Sequence, residues 1–306
     1  MPKYKNLDGT TPGKGVLDLL KWKALDPLKG KKPRPDSFVT PVRHNDGKAL
    51  ASDKSNISWI GHASFAMKFG GQTIATDPIF AERVGHHRRR AKPGIAISDL
   101  PNMDIVTVSH AHYDHMDVPS LRSLNGRTLF IVPKDCGEVV RRAGIDNVIE
   151  LEWWQSHQHG DVRITLVPAQ HWSMRTLLDH NKRLWGGYVY ESPDGVAYHA
   201  GDTAYSESMF EAIAARFPRI DWAMIPIGAY EPEWFLSGQH MGPEEAGRAF
   251  LQLRARHFLA MHWGTFKLTD EPLGEPPDRL RAWFTSQGLA AERLWVFDVG
   301  ESRLLE

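Results

Sequence analysis

The stretch His110-Ala111-His112-Tyr113-Asp114-His115 decides the fold, because it places three imidazoles and one carboxylate within six residues. It follows residues 104–109, a run rich in β-branched side chains that predicts a strand. Side chains two positions apart on a strand point to the same side, so the first two histidines are expected to reach one metal ion. The aspartate and the last histidine are expected to turn towards a neighbouring ion. So compact a set of donors is typical of a metal site rather than of a polar surface turn.

Further ligands are expected elsewhere in the chain, because four side chains cannot complete the coordination shells of two ions. The chain carries 15 histidines in 306 residues, about twice the usual number. His171, Asp202 and His262 each follow a predicted strand. Those strands are predicted over residues 162–167, 196–200 and 257–261. We expect the three side chains to join the motif at one edge of the fold.

The order of predicted elements favours two sheets with helices outside them, since short strands and helices follow one another from Ile57 onward. We predict one domain over residues 51–306. Residues 1–50 are rich in Lys, Pro and Gly and are predicted as an N-terminal arm holding a short helix around residues 16–22. The Leu, Trp and Lys side chains of this helix would suit a membrane surface, but packing on the protein body is the preferred interpretation.

The charge balance argues against a nucleic-acid partner, because Lys+Arg and Asp+Glu both number 37 and the formal net charge is 0. A tRNA-processing nuclease is disfavoured for the same reason. The single cysteine, Cys136, cannot form an internal disulfide, which suits a reducing compartment. The first residues lack the apolar stretch of a secretory signal, and no apolar run reaches 18 residues. We therefore expect a cytoplasmic protein, with peripheral membrane contact as an open alternative.

Longer stretches around the candidate ligands resemble a known family. They are Trp59-Ile60-Gly61-His62-Ala63, Thr76-Asp77-Pro78-Ile79-Phe80, Gln170-His171-Trp172, Leu184-Trp185-Gly186, Ala200-Gly201-Asp202-Thr203, Ile225-Pro226-Ile227-Gly228-Ala229-Tyr230-Glu231-Pro232 and Met261-His262-Trp263-Gly264-Thr265-Phe266. With the histidine motif, they resemble the metallo-β-lactamase superfamily in its binuclear hydrolase form. More specifically, they are similar to the N-acyl-phosphatidylethanolamine-hydrolysing phospholipases D and their bacterial relatives. The resemblance covers the chain from about residue 50 to Glu306, and implies an α/β fold, an αββα sandwich with the metals at one edge.

The resemblance implies a set of metal ligands. The first ion would take His110, His112 and His171, the second would take Asp114, His115 and His262, and Asp202 would bridge the two. Zinc suits histidine and aspartate ligands best, with iron or manganese as alternatives. No glutamate replaces the second histidine of the motif, which argues against the oxygen-reducing di-iron branch of the fold.

The activity implied is that of a zinc phosphodiesterase of phospholipase D type. A hydroxide bridging two zinc ions would attack the phosphorus of an N-acyl phosphatidylethanolamine or a related phospholipid. His240 and Asp114 are the candidate catalytic residues, and His240 would also bind the phosphate or protonate the leaving oxygen. Tyr113, Trp172 and Trp234 are candidate substrate contacts. The resemblance also suggests a homodimer.

Other interpretations remain open at this point. The same metal site would serve a lactonase or a hydrolase of soluble phosphodiesters, and a metal-binding regulator without turnover is the candidate from a different class. A β-lactam hydrolase in the strict sense is disfavoured, since those enzymes usually act outside the cytoplasm. His62 is interpreted as a structural residue that holds a turn near the site. The basic run at residues 86–90 would either bind a phosphate headgroup or form a solvent-exposed loop.

Overall fold

Two seven-stranded sheets lie face to face in the computed structural model, which describes residues 3–11, 16–25, 28 and 33–306. Residues 1–2, 12–15, 26–27 and 29–32 of the predicted arm lie outside the described residues. In chain order the described strands are β1 (Asn56–Gly61), β2 (Ser64–Phe69), β3 (Gln72–Thr76), β4 (Arg83–Val84), β5 (His87–Arg88), β6 (Ile105–Thr107), β7 (Leu129–Pro133), β8 (Val148–Leu151), β9 (Ser156–His159), β10 (Val162–Val167), β11 (Gly187–Ser192), β12 (Gly195–His199), β13 (Trp222–Pro226), β14 (His257–Met261), β15 (Leu294–Trp295) and β16 (Ser302–Leu304).

Each sheet is antiparallel on one side and parallel on the other. The first sheet has the order β16-β1-β2-β3-β6-β7-β8 and is parallel from β3 to β8. The second has the order β15-β14-β13-β12-β11-β10-β9 and is parallel from β15 to β12. Strands β4 and β5 form a separate hairpin. Since parallel strands run in one direction, their carboxyl ends meet at the same edge of each sheet.

The central core lies between the two sheets. Phe65 and Met67 of the first sheet belong to the same buried cluster as Tyr188 and Tyr190 of the second. The hydroxyls of Thr107 and Tyr190 are 2.6 Å apart across this layer. Burying large aromatic side chains from both sheets supplies much of the hydrophobic stabilisation, at roughly 25 cal/mol per Å² of apolar surface.

Helices cover the outer faces of the sheets. Within the described residues the α-helices are α1 (Val16–Leu20), α2 (Val118–Ser123), α3 (Gly137–Arg142), α4 (Glu207–Arg216), α5 (Glu233–Leu236), α6 (Pro243–Gln252) and α7 (Glu275–Ser286). Leu121 and Val140 pack on Phe130 at the outer face of the first sheet. Helix α6 packs on β13 of the second sheet, and α7 packs on α6. The predicted α/β class, an αββα sandwich, is confirmed.

The histidine motif lies beyond the end of its strand. Pairing of β6 with β7 ends at Thr107, three residues before His110, so the strand pleat does not align the first two histidines as predicted. The backbone N–H of Ser109 donates to Oδ1 of Asp77 over 2.6 Å, and not to a carbonyl of a neighbouring strand. A turn follows, in which the N–H groups of His115 and Met116 both donate to the carbonyl of His112. The turn, rather than the pleat, brings the motif together.

Trp22 attaches the helical segment of the N-terminal arm to the protein body. Helix α1 is followed by a π-helix over Lys21–Leu25. Within it, Trp22 is buried against Phe235, and its Nε1–H donates to Asp270 over 2.6 Å. The predicted packing on the protein body therefore holds for Trp22, whereas Leu17 and Leu20 of α1 are exposed.

None of the helices in the described ranges is both long and apolar enough to cross a membrane.

Candidate metal centre

Three histidines form a first cluster. The Nδ1 atom of His112 lies 2.8 Å from Nε2 of His110 and 3.3 Å from Nε2 of His171. His110 and His112 come from the loop after β6, and His171 follows β10 of the opposite sheet. The cluster therefore forms where the two sheets meet at one edge.

A second cluster lies beside the first. The Oδ2 atom of Asp114 lies 3.5 Å from Nε2 of His115 and 3.7 Å from Nε2 of His262, which follows β14. His62, at the end of β1, places its Nε2 3.0 Å from the same oxygen. Since a carboxylate only accepts hydrogen bonds, Nε2–H of His62 donates to Asp114 and fixes its orientation.

Asp202 lies between the two clusters. Its Oδ2 atom is 3.1 Å from Nε2 of His115, 3.8 Å from Nε2 of His171 and 3.9 Å from Nε2 of His110. Its Oδ1 atom is 3.1 Å from Nε2 of His262. One buried carboxylate thus faces histidines of both clusters, which is the position that a bridging ligand requires.

Several polar atoms at the centre lack hydrogen-bond partners. Among the described residues, Nε2 of His115, Nε2 of His262 and Oδ1 of Asp202 are buried without such a partner. A buried polar atom that makes no hydrogen bond costs roughly 1–3 kcal/mol, so several together need an explanation. Imidazole nitrogens and carboxylate oxygens are donors that zinc accepts. The residues at this centre therefore fit metal ions.

The electrostatics of the centre agree with metal binding. Burial lowers the pKa of His112 to about 4 and holds the pKa of His110 and His171 well below their usual range, so these imidazoles are neutral, as ligands must be. Burial also opposes a charge on His262, but Asp202 and Asp114 outweigh it and raise the pKa of His262 to about 9. The two carboxylates thus favour positive charge at the centre, which metal cations supply.

The backbone is strained where it presents these side chains. His62, Asp77 and His262 have φ angles of 57°, 39° and 61°, in the left-handed region that non-glycine residues rarely occupy. Gly201, before Asp202, has a φ angle of 60°, and a Cβ atom there would lie 2.7 Å from Cβ of Ser109. Such conformations cost about 1–3 kcal/mol each and concentrate at functional sites.

A cavity of about 340 Å³ opens onto both clusters. Polar groups of the centre form its floor, whereas its walls are largely apolar. The apolar wall residues are Trp22, Val84, Trp172, Met174, Ala229, Phe235, Leu236 and Leu268. An apolar cavity with a few convergent polar groups is the usual form of a small-molecule site.

Comparisons with known proteins identify the family. The family model of the β-lactamase superfamily domain matches residues 72–263, which is more than half of the chain. The chain belongs to the metallo-β-lactamase superfamily. N-acyl-phosphatidylethanolamine-hydrolysing phospholipase D 1 of Caenorhabditis elegans is 35% identical over 242 residues, covering 73% of this chain and 68% of that protein. The mitochondrial N-acyl-phosphatidylethanolamine-hydrolysing phospholipase D of Saccharomyces cerevisiae is 34% identical over 297 residues, or 92% of this chain.

The chain spans 61% of the length of that yeast protein. Among solved structures, a metallo hydrolase from the archaeon Ignicoccus hospitalis superimposes with a TM-score of 0.65 and 22% identity, covering 83% of this chain and 99% of that one, which shows the shared fold. The predicted resemblance to the superfamily and to these phospholipases is confirmed. The chain is a metal-dependent hydrolase of the metallo-β-lactamase fold.

The structure brings together all seven predicted ligands and His240. The ring of His240 lies 5.1 Å from the ring of His171 and 5.6 Å from that of His262. Trp172 and Tyr113 also line the cavity, with Tyr113 half exposed and its hydroxyl donating to the carbonyl of Arg175.

Trp234 lies elsewhere, in an adjoining cavity of about 560 Å³. Of the residues that the structure describes, this cavity shares only Trp22 and His240 with the first. Consecutive residues of the short helix α5 point in different directions, so Phe235 and Leu236, rather than Trp234, line the cavity that opens onto the two clusters. Sequence reasoning missed Phe235, Leu236 and Trp22, because their role depends on how α5 and the arm pack.

Asp77 contacts two of the proposed ligands or their supports, although it was not among the residues predicted for the site. Its Oδ2 atom accepts Nδ1–H of His115 over 2.7 Å and the hydroxyl of Ser109 over 2.6 Å. Since that hydroxyl proton is used, the Ser109 oxygen accepts Nδ1–H of His110 over 2.9 Å. Asp77 thus fixes the tautomers of two histidines and leaves both Nε2 atoms for metal. The sequence feature that could have indicated Asp77 is its position directly after β3.

Replacing Asp77 with asparagine is expected to weaken metal binding about 10- to 100-fold, because the new amide donor faces groups that need an acceptor. Competition with a chromogenic chelator measures the affinity. Asp104→Asn is a matched control, since Asp104 accepts two hydrogen bonds from Thr73 near the start of β6, at the other end of the sheet. Equal affinity in the Asp77→Asn and wild-type proteins would contradict the role of Asp77.

Proposed function

We propose that this metal-dependent hydrolase is a phosphodiesterase of phospholipase D type that cleaves N-acyl phosphatidylethanolamine or a related phospholipid. The observation that carries the proposal is the largely apolar cavity that opens directly onto the two ligand clusters. A lipid phosphodiester has an anionic phosphate for the polar floor and acyl chains for the apolar walls. The activity named for the worm and yeast relatives supports the same substrate class.

Two zinc ions would be held by the clusters, with iron or manganese as alternatives. The proposed ligands are His110, His112 and His171 for one ion, Asp114, His115 and His262 for the other, and Asp202 for both. Bound there, the ions would supply positive charge for the phosphoryl oxygens and lower the pKa of a water molecule so that it attacks at neutral pH. This chemistry requires no serine or cysteine nucleophile.

His240 is proposed to contact the phosphate. It forms part of the cavity wall, and in the described part of the chain its Nδ1 atom has no hydrogen-bond partner. Burial lowers the pKa of His240 to about 4, so the imidazole is neutral and keeps one N–H to donate to a phosphoryl or leaving oxygen. Its backbone N–H donates to the carbonyl of Leu236, which ties its position to helix α5.

Asp114 is proposed as both a ligand and a catalytic residue. Its Oδ2 atom accepts Nε2–H of His62, and burial holds the pKa of His62 near 3. A neutral His62 can orient the carboxylate without neutralising it. The charge on Asp114 therefore remains available at the cavity floor.

The apolar wall is proposed to exclude water and to hold an acyl chain. Trp22 packs on Phe235 with ring centroids 4.8 Å apart, and both line the cavity. Trp22 is the contribution of the N-terminal arm, so the arm forms part of the substrate site. Each CH₂ group buried against such a wall is worth about 0.8 kcal/mol.

We also propose that α1 contacts a lipid surface, and its exposed side chains support this. Leu17 is 81% exposed and Leu20 is 51% exposed, while Trp22 anchors the same segment at the cavity wall. Lys21 and Lys23 flank the tryptophan and provide positive charge. Exposed leucines beside lysines suit the interface of an anionic membrane. A lipid held there would have its phosphate near the cavity.

The double substitution Leu17→Ser/Leu20→Ser is expected to weaken partition onto anionic phospholipid vesicles at least about tenfold, since two inserted leucine side chains are lost. Vesicle co-sedimentation measures the partition. Leu304→Ser is a matched control, because Leu304 is 44% exposed and pairs with Asn56 at the start of β1, away from the metal edge. Unchanged partition of the double variant would refute the membrane contact of α1.

The decisive test of the proposed function uses vesicles of N-acyl phosphatidylethanolamine. Wild-type protein holding two zinc ions per chain is expected to release phosphatidic acid and an N-acylethanolamine, both detected by mass spectrometry, whereas His262→Ala is expected to release neither. Silence of the wild-type protein with both ions in place would overturn the lipid assignment. Turnover of lactones or soluble phosphodiesters in that same sample would establish the alternative hydrolase.

A further inference from the structure

The first described residues of the chain lie against the loop that carries His171. The backbone N–H groups of Lys3 and Tyr4 both donate to the carbonyl of Asn181, over 2.9 and 3.0 Å. Asn6 and Thr10 close a turn, in which the N–H of Asn6 donates to the carbonyl of Thr10 over 2.8 Å. We call residues 3–10 the N-terminal strap.

Asn6 is the residue of the strap that reaches the metal centre. Its side chain is 4% exposed, and its Oδ1 atom accepts the backbone N–H of His171 over 3.0 Å and Nε1–H of Trp185 over 3.1 Å. The strap is separated from His171 by more than 160 residues of sequence, so this contact exists only in the folded chain.

The loop needs such an anchor because it lies outside the sheet. Pairing of β10 with β11 ends at Val167, opposite Gly187, so within the described strands His171 has no ladder partner for its N–H. The carbonyl of Gln239 fixes the imidazole by accepting Nδ1–H over 2.8 Å, but it does not hold the backbone. Asn6 supplies that second point of attachment.

The neighbouring residue of the loop is held by the same strap. The Nε2 atom of Gln170 donates to Oδ2 of Asp8 over 2.9 Å and lies 3.1 Å from the hydroxyl of Thr10. Two consecutive loop residues are therefore attached to one short segment. Fixing a ligand at two points, backbone and ring, reduces the entropy lost when an ion binds.

We propose that Asn6 is a positioning residue for the metal ligand His171, and that the N-terminal strap is a functional part of the first metal cluster. The inference rests on the proposed metal site but not on the proposed substrate. The strap supports a ligand of the first cluster only. Asp114, His115 and His262 of the second cluster lie on loops to which, among the described residues, the strap makes no hydrogen bond. Loss of Asn6 should therefore affect the two ions unequally.

The test compares zinc release from the loaded full-length protein. In Asn6→Ala, the affinity of the protein for one of the two zinc ions, measured by titration with a chelator, is expected to fall about 10- to 100-fold. Its affinity for the other ion is expected to equal that of the wild type. Asn6→Asp keeps an oxygen acceptor in the same place and is expected to restore most of the lost affinity. Cobalt substitution offers a second reading, because the visible absorption of only one of the two cobalt ions should change.

Leu7→Ala is the matched control, since Leu7 lies in the same strap but is exposed, and it should release zinc as the wild type does. Circular dichroism confirms that each variant is folded. Wild-type affinity for both ions in Asn6→Ala would overturn the proposal. So would equal weakening of both ions, or a failure of Asn6→Asp to restore binding, since either result would indicate general destabilisation. These readings do not depend on hydrolysis of any lipid, so a failure of the proposed function leaves them intact.

Discussion

The Asp202→Asn protein is expected to lose hydrolytic activity by about a thousandfold or more and to retain fewer than two metal ions per chain. Asp202 is buried, and its two oxygens face four histidine nitrogens from both clusters at 3.1 to 3.9 Å. Asparagine has nearly the same shape but no charge, and its NH₂ group is not a metal ligand. The substitution therefore removes the shared ligand while it preserves the volume of the site.

Electrostatics strengthen this expectation. The positive charge that metal ions bring to a buried site must be balanced, and Asp202 is one of two carboxylates that face both His115 and His262. Without its charge, Asp114 would be the one carboxylate left among the proposed ligands, and it cannot compensate two divalent cations. An uncompensated buried charge costs several kcal/mol, which is enough to release an ion.

The measurements are metal content by mass spectrometry and the rate of lipid hydrolysis. Asp221→Asn is the matched control, because Asp221 is also buried in the second sheet but lies at the start of β13, opposite the metal edge. It should retain both ions and near-normal activity. Full activity in Asp202→Asn would mean that a binuclear mechanism is wrong for this chain.

The His240→Ala protein is expected to keep both metal ions and to lose activity by about 10²- to 10⁴-fold, chiefly in kcat. His240 has the position of a group that contacts substrate rather than metal, since it lies on the cavity wall beyond His171. A hydrogen bond that strengthens as charge develops on the leaving oxygen acts in the transition state, so its loss lowers kcat more than it raises KM.

The control for this variant is His257→Ala, at the start of β14, the strand that His262 follows at its other end. The ring of His257 packs against that of Trp295, with centroids 4.9 Å apart, and lines neither cavity. A His240→Ala protein with both ions and a kcat equal to that of the wild type would remove His240 from the mechanism. Loss of an ion in His240→Ala would instead make it a ligand, in contact with His171 and Asp202.

Local signals in the sequence were sufficient to predict much of the fold. The pair Gly70-Gly71 predicts a hairpin, and the structure has β2 and β3 on either side of it, with both glycines at positive φ. The apolar run before His262 predicts β14 with the observed bounds. These elements were predictable because their hydrophobic pattern agrees with the packing on both faces.

The candidate ligands were equally predictable, because a motif of four donors in six residues has few other uses. What the sequence could not indicate was how each imidazole is held. Asp77 controls His115 and His110 through side-chain hydrogen bonds that depend on a left-handed backbone angle at residue 77. Asn6 contacts His171 only after the strap has packed on the opposite sheet. Both roles depend on contacts between distant parts of the chain.

The spread of the ligands along the chain affects the order of events during synthesis. The donors of the centre extend from residue 62 to residue 262, although they lie within one small volume. At about 5–20 residues per second, a ribosome that has made the histidine motif needs roughly 7–30 s to reach His262. Throughout that interval the nascent chain exposes an incomplete set of imidazoles. The complete set of ligands therefore cannot assemble before His262 has been synthesised, so the centre can be completed only late in synthesis.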